Sequence, residues 1–373
     1  MKIGIMTFWW SEDNYGQLLQ CYALQKYLRD KGHDAFLIRY RYDEDIIPTD
    51  IKTKFLKALN PMKAYGFLKQ KMVYKNKKTN IKKEQESNPR FFESFRNKYI
   101  KQYPINYKTW NDLKDNPPNA DMYIVGSDQV WNFGNKLVQN YRNIIHAYFL
   151  DFGCENTMRI SYAASWSVDS LSVDMINEIK PLLKRFDHIS VREKKSIELC
   201  VQCGYAKAVW VPDPTMLLQA AVYRALYKEN NVRKPKNKYV FLYMLNNMHD
   251  FDVDLIYKFA KKNNLDVVYI TGNGVLDKKD KFFASIPEWL YLLDNAEYVV
   301  TNSYHCSVFS IIFHKKFGVV PLIGKFRAMN DRINSLFIQY GIKDRFIRNK
   351  KLDILDMLYN PNEIHDNFLK DIL

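Results

Sequence analysis

The run Thr301-Asn302-Ser303-Tyr304-His305-Cys306 follows an apolar strand-like segment and leads into apolar residues at helical spacing. A strand-to-helix junction of this kind places His305 near a helix N-terminus, where anions are favoured and where an imidazole titrates close to neutrality. General acid/base work on an anionic substrate is the chemistry this position allows, with a purely structural histidine as the equal alternative. A second junction, Val125-Gly126-Ser127-Asp128-Gln129-Val130-Trp131-Asn132, gathers a hydroxyl, a carboxylate, an amide and an indole. Asp128 is suited to take a proton from a sugar hydroxyl, and Trp131 to stack on a sugar face. The same residues also suit a helix cap at Ser127 or Asp128 over a core tryptophan. Asn14-Tyr15-Gly16-Gln17 joins the first strand to the first helix, either as an anion-binding turn of free N–H groups or as an ordinary tight turn. Arg192 follows another strand, and Lys325, Arg327 and Arg332 cluster downstream. Guanidinium forks fit carboxylates and phosphates, or form surface ion pairs. Cys200-x-x-Cys203 has no second pair and no adjacent histidines, so no metal site is expected from it. Neither G-x-G-x-x-G nor a P-loop is present.

Positioning these groups falls to short β-rich runs that alternate with amphipathic helical segments, a pattern of α/β lobes with parallel sheets. Strands are expected at Lys2 to Thr7, Ala35 to Tyr40, Met122 to Val125, Ile160 to Ala163, His188 to Val191 and Ala208 to Val211, with a helix over Gly16 to Lys31. They make a first lobe over residues 1–215. After Pro212-Asp213-Pro214 the pattern restarts, with strands at Tyr239 to Met244, Val267 to Thr271, Tyr298 to Thr301 and Gly318 to Pro321. Helices near 251–262, 286–294 and 304–314 complete a second lobe over 216–373, whose last helix is expected to pack back on the first.

An apolar fraction of 47% excludes intrinsic disorder, and 56 basic against 41 acidic residues ask for an anionic partner. Residues 52–101 hold 15 Lys/Arg against Glu84, Glu86 and Glu93, so most of the +15 sits in one strip. Within it Phe55, Leu59, Met62, Tyr65, Leu68 and Met72 lie at helical spacings among lysines. That suits a helix lying on an anionic leaflet, or equally a solvated helical insertion in the first lobe. The strip is Lys-rich and carries no recognition module, which argues against nucleic acid as a partner. No signal-peptide core or 18-residue apolar span occurs, and five cysteines do not form a disulfide framework. A cytoplasmic protein is expected, free or peripheral on the inner face of the membrane.

Taken together, NYGQLLQCYALQKYL, GSDQVWN, ISYAASWS, SVREKKS, VPDPTMLL and TNSYHCSVFSIIF resemble the polysaccharide pyruvyltransferase family in order and spacing over most of the chain. The resemblance implies two Rossmann-like, GT-B-like lobes with ligands between them. It also implies phosphoenolpyruvate as donor, and as acceptor a sugar of a bacterial surface glycan, with polyprenyl diphosphate as a carrier the basic strip suggests. No further cofactor is implied. The resemblance makes the histidine at position 305 a catalytic candidate, and implies that basic residues grip the donor. One departure stands out: well-studied branches carry an arginine two residues before the histidine, where this chain has Ser303. Arg192, Lys325 or Arg327 then has to supply that charge. Cys306 likewise replaces a common glycine. On these grounds His305 is expected as acid/base and Asp128 as base toward the acceptor. Arg192, Lys325, Arg327, Ser303, Asn14, Tyr15, Gly16, Ser127, Gln129 and Trp131 are expected to contact substrates. A GT-B glycosyltransferase using a sugar nucleotide, a non-catalytic basic membrane- or nucleic-acid-binding protein, and a redox role for Cys200 and Cys203 remain the alternatives.

Overall fold

The computed structural model describes residues 1–42, 79, 83, 86–133, 139–245, 249–272, 275, 277–349, 351–364 and 366–373. The amphipathic run from Phe55 to Met72 lies outside the described residues.

Two parallel sheets define two α/β lobes. The first contains β1 (Lys2–Met6), β2 (Asp34–Tyr40), β3 (Gln102–Tyr107), β4 (Met122–Val125), β5 (Met158–Ala164), β6 (His188–Val191) and β7 (Val209–Trp210), in the order β3-β2-β1-β4-β5-β6-β7. The second contains β8 (Tyr239–Leu245), β9 (Asp266–Gly272), β10 (Tyr298–Thr301) and β11 (Phe317–Val319), in the order β11-β10-β8-β9. Strands covered by helices on both faces read as continuous apolar runs rather than alternating ones, and β4, MYIV, is buried at every position. The result is the two-lobed, GT-B-like arrangement the resemblance implies.

Each sheet reverses its winding once, the first between β1 and β4 and the second between β8 and β10. At such a switch point the loops leaving the carboxyl ends diverge and open a crevice. The two crevices face each other. Helix α1 (Tyr15–Asp30) starts at the first of them and ends where Gly32, at φ +87°, turns the chain out with its N–H on the Arg29 carbonyl.

Every strand expected from the sequence is present, with β7 reduced to two residues. The strand the sequence reading lacked is β3. Its segment QYPINY carries Pro104 and three consecutive exposed residues, so it shows no apolar alternation, and proline is tolerated there because β3 is an edge strand.

The end of the basic strip packs against the body of the protein. Helix α2 (Phe92–Tyr99) buries Phe92 and Phe95 in a core shared with Leu18 and Leu19 of α1 and with Trp289 of α3 (Ile286–Asp294), so it packs where the lobes meet. Tyr15 belongs to that core. Its ring stacks on Trp289 at 5.3 Å and meets Phe92 at 5.0 Å, and its hydroxyl donates to the Ala284 carbonyl at 2.8 Å. Helix α4 (Tyr304–Ile312) follows β10, α5 (Asp331–Gln339) follows a 3-10 turn over Gly324–Asn330, and α6 (Phe368–Ile372) ends the chain. Leu369 of α6 is buried with Ile3, Leu24 and Leu28 of the first lobe.

Candidate active site

The turn between β10 and α4 is held from both sides. Thr301 Oγ1 accepts the Ser303 N–H at 3.0 Å and donates to the Tyr243 carbonyl at 2.7 Å. The Asn302 amide accepts from the N–H of Leu245 and donates to its carbonyl, at 2.7 and 2.8 Å, which ties the turn to the end of β8. Ser303 caps α4, its Oγ accepting the Cys306 N–H at 3.3 Å. Tyr304 and His305 then leave the first helical turn toward the other lobe.

The His305 imidazole rests on Gly16 in the first turn of α1. A Cβ at Gly16 would stand 2.3 Å from ring atoms Cγ and Nδ1, so glycine is needed for close approach rather than for backbone freedom. His305 Nε2 lies 3.4 Å from Asp213 Oδ2. Asp213 is wholly buried between Pro212 and Pro214. Its Oδ1 accepts from the Thr215 N–H at 3.0 Å and the Thr215 hydroxyl at 2.7 Å, and its Oδ2 from Ser127 Oγ at 2.8 Å and Arg192 Nη1 at 3.2 Å. Burial alone would raise the pKa of this carboxyl. The facing His305 first, then Arg192 and the Thr215 hydroxyl, instead hold it well below the usual carboxylate range.

Arg192 is equally buried. Its Nη1 donates also to Ser127 Oγ at 3.1 Å, its Nε meets Glu193 Oε1 at 3.3 Å, and its guanidinium lies 4.4 Å over the Tyr304 ring. Burial works against this charge, but Glu193, Tyr304 and Asp213 outweigh it and raise the pKa above the ordinary guanidinium value, so Arg192 is a fixed cation. Its Nη2 has no hydrogen-bond partner among the described residues. Glu193 is itself anchored by Ser165 Oγ at 2.7 Å and Ser196 Oγ at 3.1 Å.

Asp128 sits at φ 80°, a conformation uncommon outside glycine and a mark of stored strain. Its Oδ1 accepts the Gln129 N–H at 2.8 Å, and its carbonyl accepts the Ser165 N–H at 3.1 Å. A bulge in β5 between Ser161 and Ala164 brings Ala164 opposite Asp128, the kind of irregularity that re-aims chain beside a site.

A cavity of ≈ 80 Å³ lies between the lobes. Asn14, Asp128 and Gln129 line it from the first lobe, and Ser303, Tyr304, His305 and Arg332 from the second. Arg332, in the first turn of α5, is half-buried and donates from Nε to the Met329 carbonyl at 3.2 Å. Burial and then the charge of Arg192 push its pKa down to about 10, which leaves it cationic at neutral pH.

Thus His305, Ser303, Asn14, Asp128 and Gln129 meet at one cavity. Ser127 and Arg192 stand one layer behind, joined to His305 through Asp213, with Gly16 under the imidazole. Two expectations, Tyr15 and Trp131, need correction. Tyr15 is inter-lobe core, as described above. Trp131 is 1% exposed, donates from Nε1 to the Tyr148 carbonyl at 3.1 Å and stacks on Phe149 at 4.9 Å, so it offers no face to a sugar. Arg327 is exposed and lines a different, wider cavity. Cys200 and Cys203 are buried free thiols that burial pushes up to about 12 and about 11, so neither is a thiolate at neutral pH. The side chain of Lys325 lies outside the described residues. The residues the sequence reading did not assign to the site are Asp213, Tyr304 and Arg332. For Asp213 a signal existed, a carboxylate between two prolines with a threonine to cap, which had served as a boundary marker.

Among the described residues no group of three His, Cys, Asp or Glu side chains is placed to hold a metal ion, and no helix is long and apolar enough to cross a membrane.

Among solved structures the chain is similar to a UDP-N-acetylglucosamine 2-epimerase from Rickettsia bellii, with a TM-score of 0.48, 9% identity and coverage of 91% of this chain and 87% of that one. It is also similar to UDP-GlcNAc 2-epimerase from Methanocaldococcus jannaschii, with a TM-score of 0.42, 11% identity and coverage of 95% and 91%. A putative enzyme of the same name from Listeria monocytogenes gives a TM-score of 0.47, 12% identity and coverage of 96% and 89%. The two lobes themselves are defined by the sheet order above. No curated protein matches the chain. The family model for polysaccharide pyruvyl transferase matches residues 14–321, a span that runs from the Asn14 turn through Asp128, Arg192 and Asp213 to His305 and Pro321. The chain belongs to the polysaccharide pyruvyl transferase family.

Proposed function

We propose that the chain transfers a pyruvyl group from phosphoenolpyruvate to two hydroxyls of one sugar in a surface-glycan precursor, forming a cyclic ketal and releasing phosphate. The observation that carries this reading is the His305 imidazole, held 3.4 Å from a buried, ionised Asp213 and opening on a cavity lined by Arg332. Phosphoenolpyruvate brings between about two and three negative charges on its phosphate and carboxylate. Arg332 and the start of α4 meet that charge directly, and Arg192 adds its fixed field from behind.

His305 delivers a proton to C3, which makes C2 electrophilic, while Asp213 orients the ring and balances its charge. One sugar hydroxyl adds to C2. The C–O bond to phosphate breaks, and the second hydroxyl of the same sugar closes the ketal. Of the two hydroxyl protons, Asp128 relays one back to His305, and the other leaves with phosphate. No P–O bond breaks, so the charge neutralisation that phosphoryl transfer draws from divalent ions is not demanded by this chemistry. No further cofactor forms part of the proposal.

The test is phosphate release from phosphoenolpyruvate in the presence of a panel of free and lipid-linked glycosides, with mass spectrometry for one pyruvyl unit less water on the acceptor. Protection from melting by phosphoenolpyruvate and not by UDP or GDP supports the donor assignment. Protection by UDP without phosphate release from any mixture would replace it with a sugar-nucleotide enzyme. From sequence alone the proposal extends to an acceptor on polyprenyl diphosphate at an anionic leaflet. Flotation with anionic liposomes that weakens after deletion of residues 52–75 supports that extension, and unchanged flotation removes it.

A further inference from the structure

The His305–Asp213 pair does not hold itself together. His305 Nε2 stands 3.4 Å from Asp213 Oδ2 and has no hydrogen-bond partner among the described residues. The two side chains also come from separate segments, Asp213 from the cap of the 3-10 turn Pro214–Leu217 and His305 from the first turn of α4. Their register is therefore set by what packs around them.

Tyr223, on the helix Ala220–Lys228, joins the two segments. On the Asp213 side its hydroxyl donates to the Thr215 carbonyl at 2.7 Å. Thr215 is the residue whose N–H and hydroxyl hold Asp213 Oδ1, at 3.0 and 2.7 Å. On the His305 side the Tyr223 ring meets Phe309 edge-on at 4.8 Å. Phe309 follows His305 by one helical turn on α4, so a shift of one carries the other. Phe309 in turn meets Trp289 edge-on at 5.5 Å, and Trp289 stacks on Tyr15, the chain neighbour of Gly16. The carboxylate, the imidazole and the glycine beneath it are thus tied to one wholly buried aromatic cluster.

The chemistry of position 223 points the same way. A phenol in apolar surroundings is costly to bury unless its hydroxyl is bonded, and phenylalanine would fill the space without that cost. Burial and then the Asp213 charge raise the Tyr223 pKa well above the ordinary phenol value, so the group stays a neutral donor. Ring and hydroxyl have separate tasks, one on α4 and the other on the Asp213 turn.

We infer that Tyr223 is a positioning residue that sets the register of His305 against Asp213. It does not line the cavity and acts only through that pair. The inference rests on the reading of His305 and Asp213 as the proton-transfer pair of pyruvyl transfer.

The experiment compares Tyr223→Phe with wild type, each alone and combined with His305→Ala. Phosphate release from phosphoenolpyruvate with the glycoside panel is measured below the melting transition of every variant. Tyr223→Phe keeps the ring on Phe309 and removes only the hydroxyl. It is expected to lower kcat about tenfold while the KM for phosphoenolpyruvate stays within about twofold. In the His305→Ala background it is expected to cost nothing further, because the brace acts through the missing imidazole. The ring nitrogens of His305, assigned by their loss in His305→Ala, are expected to shift in nitrogen NMR of histidine-labelled Tyr223→Phe, since a moved carboxylate redistributes the imidazole protons. An unchanged kcat in folded Tyr223→Phe, or an equal loss with and without His305, overturns the inference. Absence of phosphate release by wild type from every mixture overturns pyruvyl transfer instead. The nitrogen spectrum then decides the brace: shifted His305 resonances keep it, and unchanged ones overturn it.

Discussion

The carboxyl edges of the two sheets hold their charges in opposite ways. On the first-lobe side, Asp213, Arg192, Ser127 and Glu193 close on one another and on Thr215, Ser165 and Ser196, and of their described side-chain atoms Arg192 Nη2 alone lacks a hydrogen-bond partner among the described residues. On the second-lobe side, His305, Arg332 and Ser303 open on the cavity. Buried ions that satisfy each other lose the freedom to bind and act as a fixed field, whereas groups at a cavity wall remain available to a ligand. Under the proposed function the closed network supplies a fixed field, and the groups at the cavity wall, first-lobe Asp128 among them, meet the ligand.

The sharpest way to break this contrast is His305→Ala. Phosphate release should fall by about 10²–10⁴-fold with melting temperature nearly unchanged, since the proton donor is lost from the open side. Full turnover would place the chemistry elsewhere. On the closed side Asp213→Asn should cost ~3–5 kcal/mol in chemical denaturation, because it leaves Arg192 buried without its carboxylate. The pH dependence has a definite sign. The folded Asp213 carboxyl titrates below its unfolded value, so its contribution is complete above the ordinary carboxylate pKa of about 3.9 and is lost as pH falls through the lower folded value. Wild type should therefore lose more stability on acidification than Asp213→Asn. Equal losses would show that the carboxylate is not held ionised.

Gly16→Ala tests the contact between the two sides. Its Cβ must displace the imidazole, and a shift of that size should lower kcat about 10²-fold while the lobes stay folded. Arg332→Gln should raise the KM for phosphoenolpyruvate about tenfold and leave stability unchanged, as expected of a cation that faces ligand. An unaltered KM would move the donor's anion site away from Arg332. The smallest effect belongs to Tyr15→Phe, which should cost ~1 kcal/mol through the lost hydrogen bond to Ala284 and leave turnover intact.

Much of the fold is legible in the sequence. Strands such as MYIV and YVVT and the helix over residues 286–294 are local matters of apolar periodicity, and their boundaries in the structure follow it closely. β3 escaped because Pro104 and its exposed neighbours carry no such period. In the site, His305, Ser303, Asn14, Asp128 and Gln129 were readable because each follows a strand at the ligand-binding edge of a sheet. Tyr15 and Trp131 occupy the same turns and face the other way, into core, since an aromatic ring beside a turn packs wherever apolar surface is nearest.

What the sequence determined by itself is therefore the list of elements and the turns that join them. Only the tertiary structure decided that Gly16 lies under His305, that Asp213 and not a neighbouring acid faces the imidazole, and that Arg332 lines the cavity while Arg327 does not. The physical reason is one of range. Backbone period and capping act over a few residues, but the partner of a buried charge is chosen by whatever the other lobe brings within about 4 Å of it.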